Sequence, residues 1–421
     1  MIAGSLNSSS DLTKITSQAH QASLVLASLK GSDRSRALHC MANALQERQD
    51  DILEANTLDL ETSREMAIPE IILEWLKLTP ERLQTTIQIL ERLAELTDPT
   101  QQILNTFHQV ERCQTFCQLM PLGVIALVYE SFPELAAIAA GLCMRAGNSL
   151  ILKGGNEASH SNQIMTDTLQ LALEDANLPV TCVQLIPLDQ GDATRNLVTQ
   201  DRHVSLVIPY GRASLVQQVI RQATVPVLKT AIGNCYLYWA PSGELDVACW
   251  MILDSHQSEP DPVNAIEKVL IHQDFDPSLL VALFKALKEK GFELRGDAKL
   301  VSEFKELSLA QDDDWNHAYL KPAIAFKVVS GLDEAIEWIN QHSSGHADCI
   351  VTESYHESRH FAANVGSATV YVNASPRFYR HPKRDSPIAL GMSSQKGHRR
   401  GPISFDSLMT IKRIVQGNGC E

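Results

Sequence analysis

No apolar stretch of this chain is long enough to cross a bilayer: the densest, Leu135 to Met144, is about half of what a spanning helix needs. The start, Met1 to Ser10, is polar and has no apolar run of the kind a secretory leader carries, so a cytoplasmic protein is expected. No Cys-x-x-Cys pair occurs among the nine scattered cysteines, an odd number, so neither a disulfide framework nor a zinc or other metal site is suggested. Most of them should be buried small hydrophobes. Positive charge is scarce: 36 Lys and Arg against 50 Asp and Glu leave a formal net charge of -14. That field repels phosphates and argues against nucleic acid or an anionic membrane as partner. No internal repeat and no low-complexity linker is found; Ser8 to Ser10 is only a frayed start.

With 421 residues, 44% apolar and 20% charged, the chain has the composition of a soluble globular protein of two or three packed units. Residues 12 to about 100 read as helices. Leu12, Ile15, Ala19, Ala22 and Leu29 keep helical spacing, as do Leu38, Met41, Ala42, Leu45 and Ile52. From Val124 the pattern turns to short apolar runs separated by amphipathic stretches. Strands are predicted at Val124 to Tyr129, Ser149 to Leu152, Cys182 to Ile186 and Val204 to Ile208. Helices are predicted near Leu135 to Ala146, Ser159 to Leu173 and Ser214 to Gln222. Such alternation implies a parallel, Rossmann-like sheet. A second alternating block runs from about Leu237 to Val372 and includes Lys268 to His272, Ala323 to Val329 and Cys349 to Val351.

Several runs are distinctive: LTPERL from Leu78, PLGVIALVYE from Pro121, GNSLILKGGNE from Gly147, VYVNASPRF from Val370 and SSQKGHRRGP from Ser393. On these runs, and over roughly residues 12 to 416, the chain resembles gamma-glutamyl phosphate reductase, a branch of the aldehyde dehydrogenase superfamily. The resemblance implies an aldehyde dehydrogenase type α/β fold. A Rossmann-like cofactor domain would occupy 1–101 and 119–236, and a second α/β domain 237–400. A small oligomerisation arm would comprise 102–118 and 401–421. The weakly alternating stretch Gln102 to Gln118 would pair there with Ile403 to Val415 and with another subunit, giving a homo-oligomer; the alternative is an exposed hairpin without a partner. The family reduces L-glutamyl 5-phosphate with NADPH in proline biosynthesis, through a thioester on a cysteine.

Against that pattern the chain departs at several positions. The family's Arg-Pro-Ser-x-Cys-Asn corresponds to Glu259-Pro260-Asp261-Pro262-Val263-Asn264, so Val263 stands where the nucleophile is expected. Asn264 survives as a substrate-binding candidate. Cys249, 14 residues upstream on a predicted helix, is better read as core than as a substitute thiol. Where the family reads Glu-Ala-Arg-Pro-Asn, this chain has Glu130-Ser131-Phe132-Pro133-Glu134, and a carboxylate replaces the oxyanion-binding amide. Ser131 and Glu134 instead fit a capping box. Ala389 takes the place of an acidic residue. Together, Glu134, Glu259 and Asp261 would make the entrance acidic.

By the same resemblance, Lys153, Gly154, Gly155 and Glu157 match the segment that holds the cofactor's adenosine ribose; the alternative is a loop whose glycines only make the turn. Gly211 keeps the freedom for close backbone approach, whereas Arg212 is bulky where the family has glycine. Substrate contacts would come from Asn264, Asn373, Arg377, whose guanidinium suits a carboxylate, and Lys396 within the cationic run Lys396 to Arg400. The residues favour a catalytically silent member with a small-molecule ligand, NADP by resemblance. Such a member would be a binding or regulatory subunit for an active reductase or glutamate kinase. The competing readings are an active reductase and a new ligand in the old cleft.

Overall fold

The computed structural model describes all residues except 1–2, 102, 111–112, 188–191, 259, 382–386, 396–399 and 418–421, and only the backbone over 3–10, 104–110 and 113. Two compact units emerge: Met1–Lys229 with Arg380–Leu390 and Pro402–Glu421, and Thr230–Tyr379 with Gly391–Gly401. The segment 380–390 thus joins the first unit, although it lies within the stretch assigned from sequence to the second domain. Among the described residues no helix is long and apolar enough to cross a membrane.

The first unit begins with helices Ala3–Ser28, Gly31–Glu47, Gln49–Glu65, Glu70–Leu76 and Pro80–Glu95, where helical periodicity placed them. Its sheet holds β1 (Val124–Tyr129), β2 (Ser149–Lys153), β3 (Val183–Leu185) and β4 (Leu206–Tyr210), all parallel, in the order β3-β2-β1-β4. Every residue of β1 and β4 is buried, as continuous apolar runs in a parallel sheet covered on both faces require. The chain moves outward from β1 to β3 and then returns to place β4 on the other side of β1. That reversal is a topological switch point, and ligands of open α/β sheets bind outside the carboxyl ends of the strands there.

Helix Pro133–Ala146 follows β1 and is buried along its whole length. Proline sits in its first turn, and Gly147, at φ +84°, closes it in the left-handed conformation that glycine adopts without strain. Strand Cys113–Pro121 pairs antiparallel with Ile103–Val110 on one side and with Met409–Gly417 on the other. Ile103–Val110 and Cys113–Pro121 run through the stretch expected to form the arm, and Cys113–Pro121 is joined to the C-terminal strand of its own chain.

The second unit carries a sheet of β5 (Cys235–Trp239), β6 (Ile266–His272), β7 (Glu293–Gly296), β8 (Ser308–Leu309), β9 (Ala323–Val329), β10 (Ala347–Val351) and β11 (Thr369–Val372). Its order is β8-β7-β9-β6-β5-β10-β11, with parallel pairing. Alternation along the strands builds two cores. Leu237, Trp239, Val269, Ile271, Phe326 and Val351 pack with helices Leu245–Ser255 and Pro277–Glu289. Tyr236, Tyr238, Leu270 and Ile350 pack with helices Leu332–His342 and Tyr355–Asn364.

Candidate functional site

In the first unit, the residues assigned to a cofactor cradle gather at the carboxyl ends of β1, β2 and β4. Lys153 ends β2, Glu130 and Ser131 follow β1, and Gly211 and Arg212 follow β4. Glu157 folds back over its own loop, where its Oε1 accepts the Ser131 N–H at 3.0 Å and the Ser131 hydroxyl at 2.6 Å. Ser131 adopts φ +40° to present both groups, a conformation costly for a non-glycine residue.

The glycines do not leave an open surface. A Cβ on Gly155 would lie 2.1 Å from Glu157 Oε1, one on Gly154 2.1 Å from Asn162 Nδ2, and one on Gly211 2.6 Å from Glu130 Oε2. Each is needed because a side chain of this same protein occupies the space above it. Asn162 in turn accepts the Tyr129 hydroxyl at 2.8 Å. The start of helix Ser159–Asp175, a natural anion site, already holds Asp59, which accepts the N–H groups of His160 at 3.0 Å and Ser161 at 2.7 Å.

The charges are also matched internally. Glu130 accepts the backbone N–H of Arg212 at 2.8 Å and its guanidinium Nη2 at 2.8 Å. Lys153 Nζ donates to Gly154 O at 2.9 Å; burial lowers its pKa and the nearby Glu157 works the other way. Arg212 is raised, first by its hydrogen bond to Glu130.

The capping box expected from Ser131 and Glu134 does not form. Phe132, which makes no side-chain cap, is the N-cap of helix Pro133–Ala146; Ser131 serves Glu157 and Glu134 pairs with Arg82. A buried carboxylate gains more from a guanidinium than from one backbone N–H, so the ion pair takes Glu134 away from the cap. Phe132 is core, stacked on Trp75 at 4.8 Å and edge-on to Tyr210 at 5.4 Å. Glu134→Asn should leave Arg82, largely buried, facing a neutral amide and destabilise the protein by about 3 kcal/mol. Urea unfolding reads this, and an unchanged midpoint would contradict the assignment.

In the second unit, Val263 lies fully buried in the loop between helix Leu245–Ser255 and β6. Its N–H donates to Asp261 O at 2.9 Å, and its carbonyl accepts Gly233 N–H at 2.9 Å and His346 Nε2 at 2.9 Å. His346, buried, is pushed down to about 4 by desolvation and is therefore neutral at pH 7. Its Nε2 also lies 3.3 Å from Cys235 Sγ, and its Nδ1 lies 2.9 Å from the Ser344 hydroxyl. Cys235 is fully buried and its thiol is raised well above its ordinary value, so this is a neutral thiol beside a neutral imidazole. Glu267, buried, accepts N–H groups from Asn234, Tyr319 and Leu320 at 2.9, 2.9 and 3.1 Å. It thereby anchors the Gly233-Asn234 turn that supports Val263.

The residues expected to meet substrate have partners within the unit. Asn264 donates to Pro376 O at 2.8 Å. Asn373, at φ +50°, bonds both the N–H and the carbonyl of Thr352. The carboxylate that Arg377 meets is Asp254, at 3.3 Å, and it also bonds Gln257. Lys396, with His398 and Arg399, lies outside the described residues, as does Glu259. Ala389 is buried. Cys249 is half-buried, and burial raises its thiol. His346 and Cys235 escaped sequence reasoning because the histidine's main partner is a backbone carbonyl, which leaves no side-chain pattern.

Residues 3–235 match the aldehyde dehydrogenase family. The chain is 53% identical over 407 residues to gamma-glutamyl phosphate reductase 2 of Synechocystis, covering 96% of this chain and 97% of that one. It is 38% identical to the gamma-glutamyl phosphate reductase of Gloeobacter violaceus, with the same shares covered. Its structure superposes on the crystal structure of gamma-glutamyl phosphate reductase from Thermotoga maritima with a TM-score of 0.89 at 31% identity, over 97% and 99% of the two chains. The fold is accordingly of aldehyde dehydrogenase type.

Proposed function

Since this chain belongs to the gamma-glutamyl phosphate reductase family, in the aldehyde dehydrogenase superfamily, we propose that it is a catalytically silent member. What supports this is Val263, which the motif Glu259 to Asn264 puts where the family's nucleophilic cysteine is expected, and which is buried and held through its backbone by Asp261, Gly233 and His346. An isopropyl group cannot form the acyl intermediate through which the family's reaction runs. The test is NADP-dependent oxidation of glutamate 5-semialdehyde by protein freed of the host's own reductase.

For the family's dinucleotide, the cradle of the first unit does not fit in its present form, because Glu130 and Glu157 cover the glycines that a phosphate would approach. The reading therefore assigns this unit a weakened nucleotide site, with dissociation constants of tens of micromolar to millimolar, about -4 to -6 kcal/mol. Lys153 would supply its cation. The role is that of a binding or regulatory subunit alongside an active reductase or glutamate kinase.

Self-association through the arm belongs to the same proposal. Met409–Gly417 is an outer strand with Ile411 and Val415 exposed, an edge that invites pairing with a second copy. Light scattering at micromolar concentration should report an oligomer that Ile411→Lys/Val415→Lys weakens; a monomeric wild type would sink this part.

A further inference from the structure

Glu130 occupies the position an anionic ligand group would take. It sits at the switch point between β1 and β4 and covers Gly211, whose φ of +145° leaves the backbone there bare. Its carboxylate accepts the N–H of Arg212, the N-cap of helix Ala213–Gln222, and the Arg212 guanidinium. A phosphate at a helix N-terminus beside an arginine would make these same bonds. The pair is largely shielded on the carboxylate side: the Glu130 side chain is 14% exposed and that of Arg212 45%. Glu157 lies within electrostatic reach of both Lys153 and Arg212. With the pair closed, two cations face two carboxylates, and an incoming phosphate meets no net attraction.

We infer that Glu130 is an internal surrogate for the ligand's phosphate, and that the Glu130–Arg212 pair sets the affinity of this unit for phosphate-bearing nucleotides because it must open before they bind. The inference rests on the nucleotide-site reading above. Arg212 is the anion-receiving group, held in reserve by its own carboxylate, and Lys153 is the second cation. Neither is a catalytic residue.

The test is titration calorimetry of the full chain with NADP and NADPH. Glu130→Gln keeps the shape, and its amide oxygen can still accept the Arg212 N–H, but it removes the competing charge. It should tighten binding at least tenfold. Arg212→Gly removes the anion-receiving group, leaves an unmatched carboxylate over Gly211 and should weaken binding, so the two halves of one pair act with opposite signs. A purely structural role would not give that result. Lys153→Ala should abolish binding in both the wild type and Glu130→Gln. Equal affinities of wild type and Glu130→Gln would overturn the gate while leaving the nucleotide site standing. No heat from any variant at millimolar nucleotide would overturn both, with catalytic silence judged by the separate turnover assay. Should Glu130→Gln fail to fold, Glu130→Asp, one methylene shorter, is the second variant. It should tighten binding severalfold, and an unchanged affinity there would count equally against the gate.

Discussion

Protein purified away from the host's reductase is expected to oxidise glutamate 5-semialdehyde with NADP on the order of 10⁶-fold more slowly than a thiol-bearing family member, the scale of loss when a covalent enzyme is stripped of its nucleophile. Turnover within tenfold of an ordinary member, surviving stringent purification, would overturn the proposal. The expectation depends on no other thiol taking over. Cys235 comes nearest in bonding terms, since it touches the imidazole that holds the Val263 carbonyl. It is fully buried, however, and burial raises its thiol well above the ordinary range. The thiolate, not the thiol, is the nucleophile. Cys249 lies on helix Leu245–Ser255, half-buried, and its thiol is raised by burial and by Asp246.

Val263→Cys is expected to recover less than about 10³ of that loss, because on the proposed reading oxyanion stabilisation is missing as well, and such stabilisation is itself worth about 10² to 10³. Two local features add to this. A thiol at a fully buried position is raised by desolvation, as that of Cys235 is. The imidazole that touches residue 263 cannot correct it. His346, pushed down to about 4, is neutral at working pH, and its Nε2 proton is committed to the residue 263 carbonyl. In the first unit, Glu134, which the resemblance puts where the family has an asparagine, is paired with Arg82. Steady-state turnover of the single variant measures the outcome. A gain above 10³ would mean that the remainder of the site had been kept ready for a nucleophile.

The misreading of Ser131 and Glu134 shows where sequence reasoning stops. The Ser-x-x-Glu spacing with a following proline matches a capping box, yet Arg82, 52 residues earlier in the chain, takes the glutamate, and Glu157, 26 residues later, takes the serine. A local motif describes what neighbours in the chain can do; it carries no account of a guanidinium that the fold delivers from another helix. The same holds for Arg377, suited by chemistry to a ligand's carboxylate and given Asp254 by the fold.

What the sequence determined by itself is what depends on short-range order and residue identity. The apolar run Val124–Tyr129 could only be a buried parallel strand, the spacing from Leu12 to Ile52 could only bury helical stripes, and Val263 is no nucleophile in any fold. Tertiary structure alone decided which charges meet. The sequence places Lys153, Glu157, Glu130 and Arg212 at the ends of three strands, but their order β2-β1-β4 brings them together. Coulomb attraction in a partly desolvated site then pairs Arg212 with Glu130 and sets Glu157 within electrostatic reach of Lys153, so the glycines of a ligand cradle lie beneath the protein's own side chains.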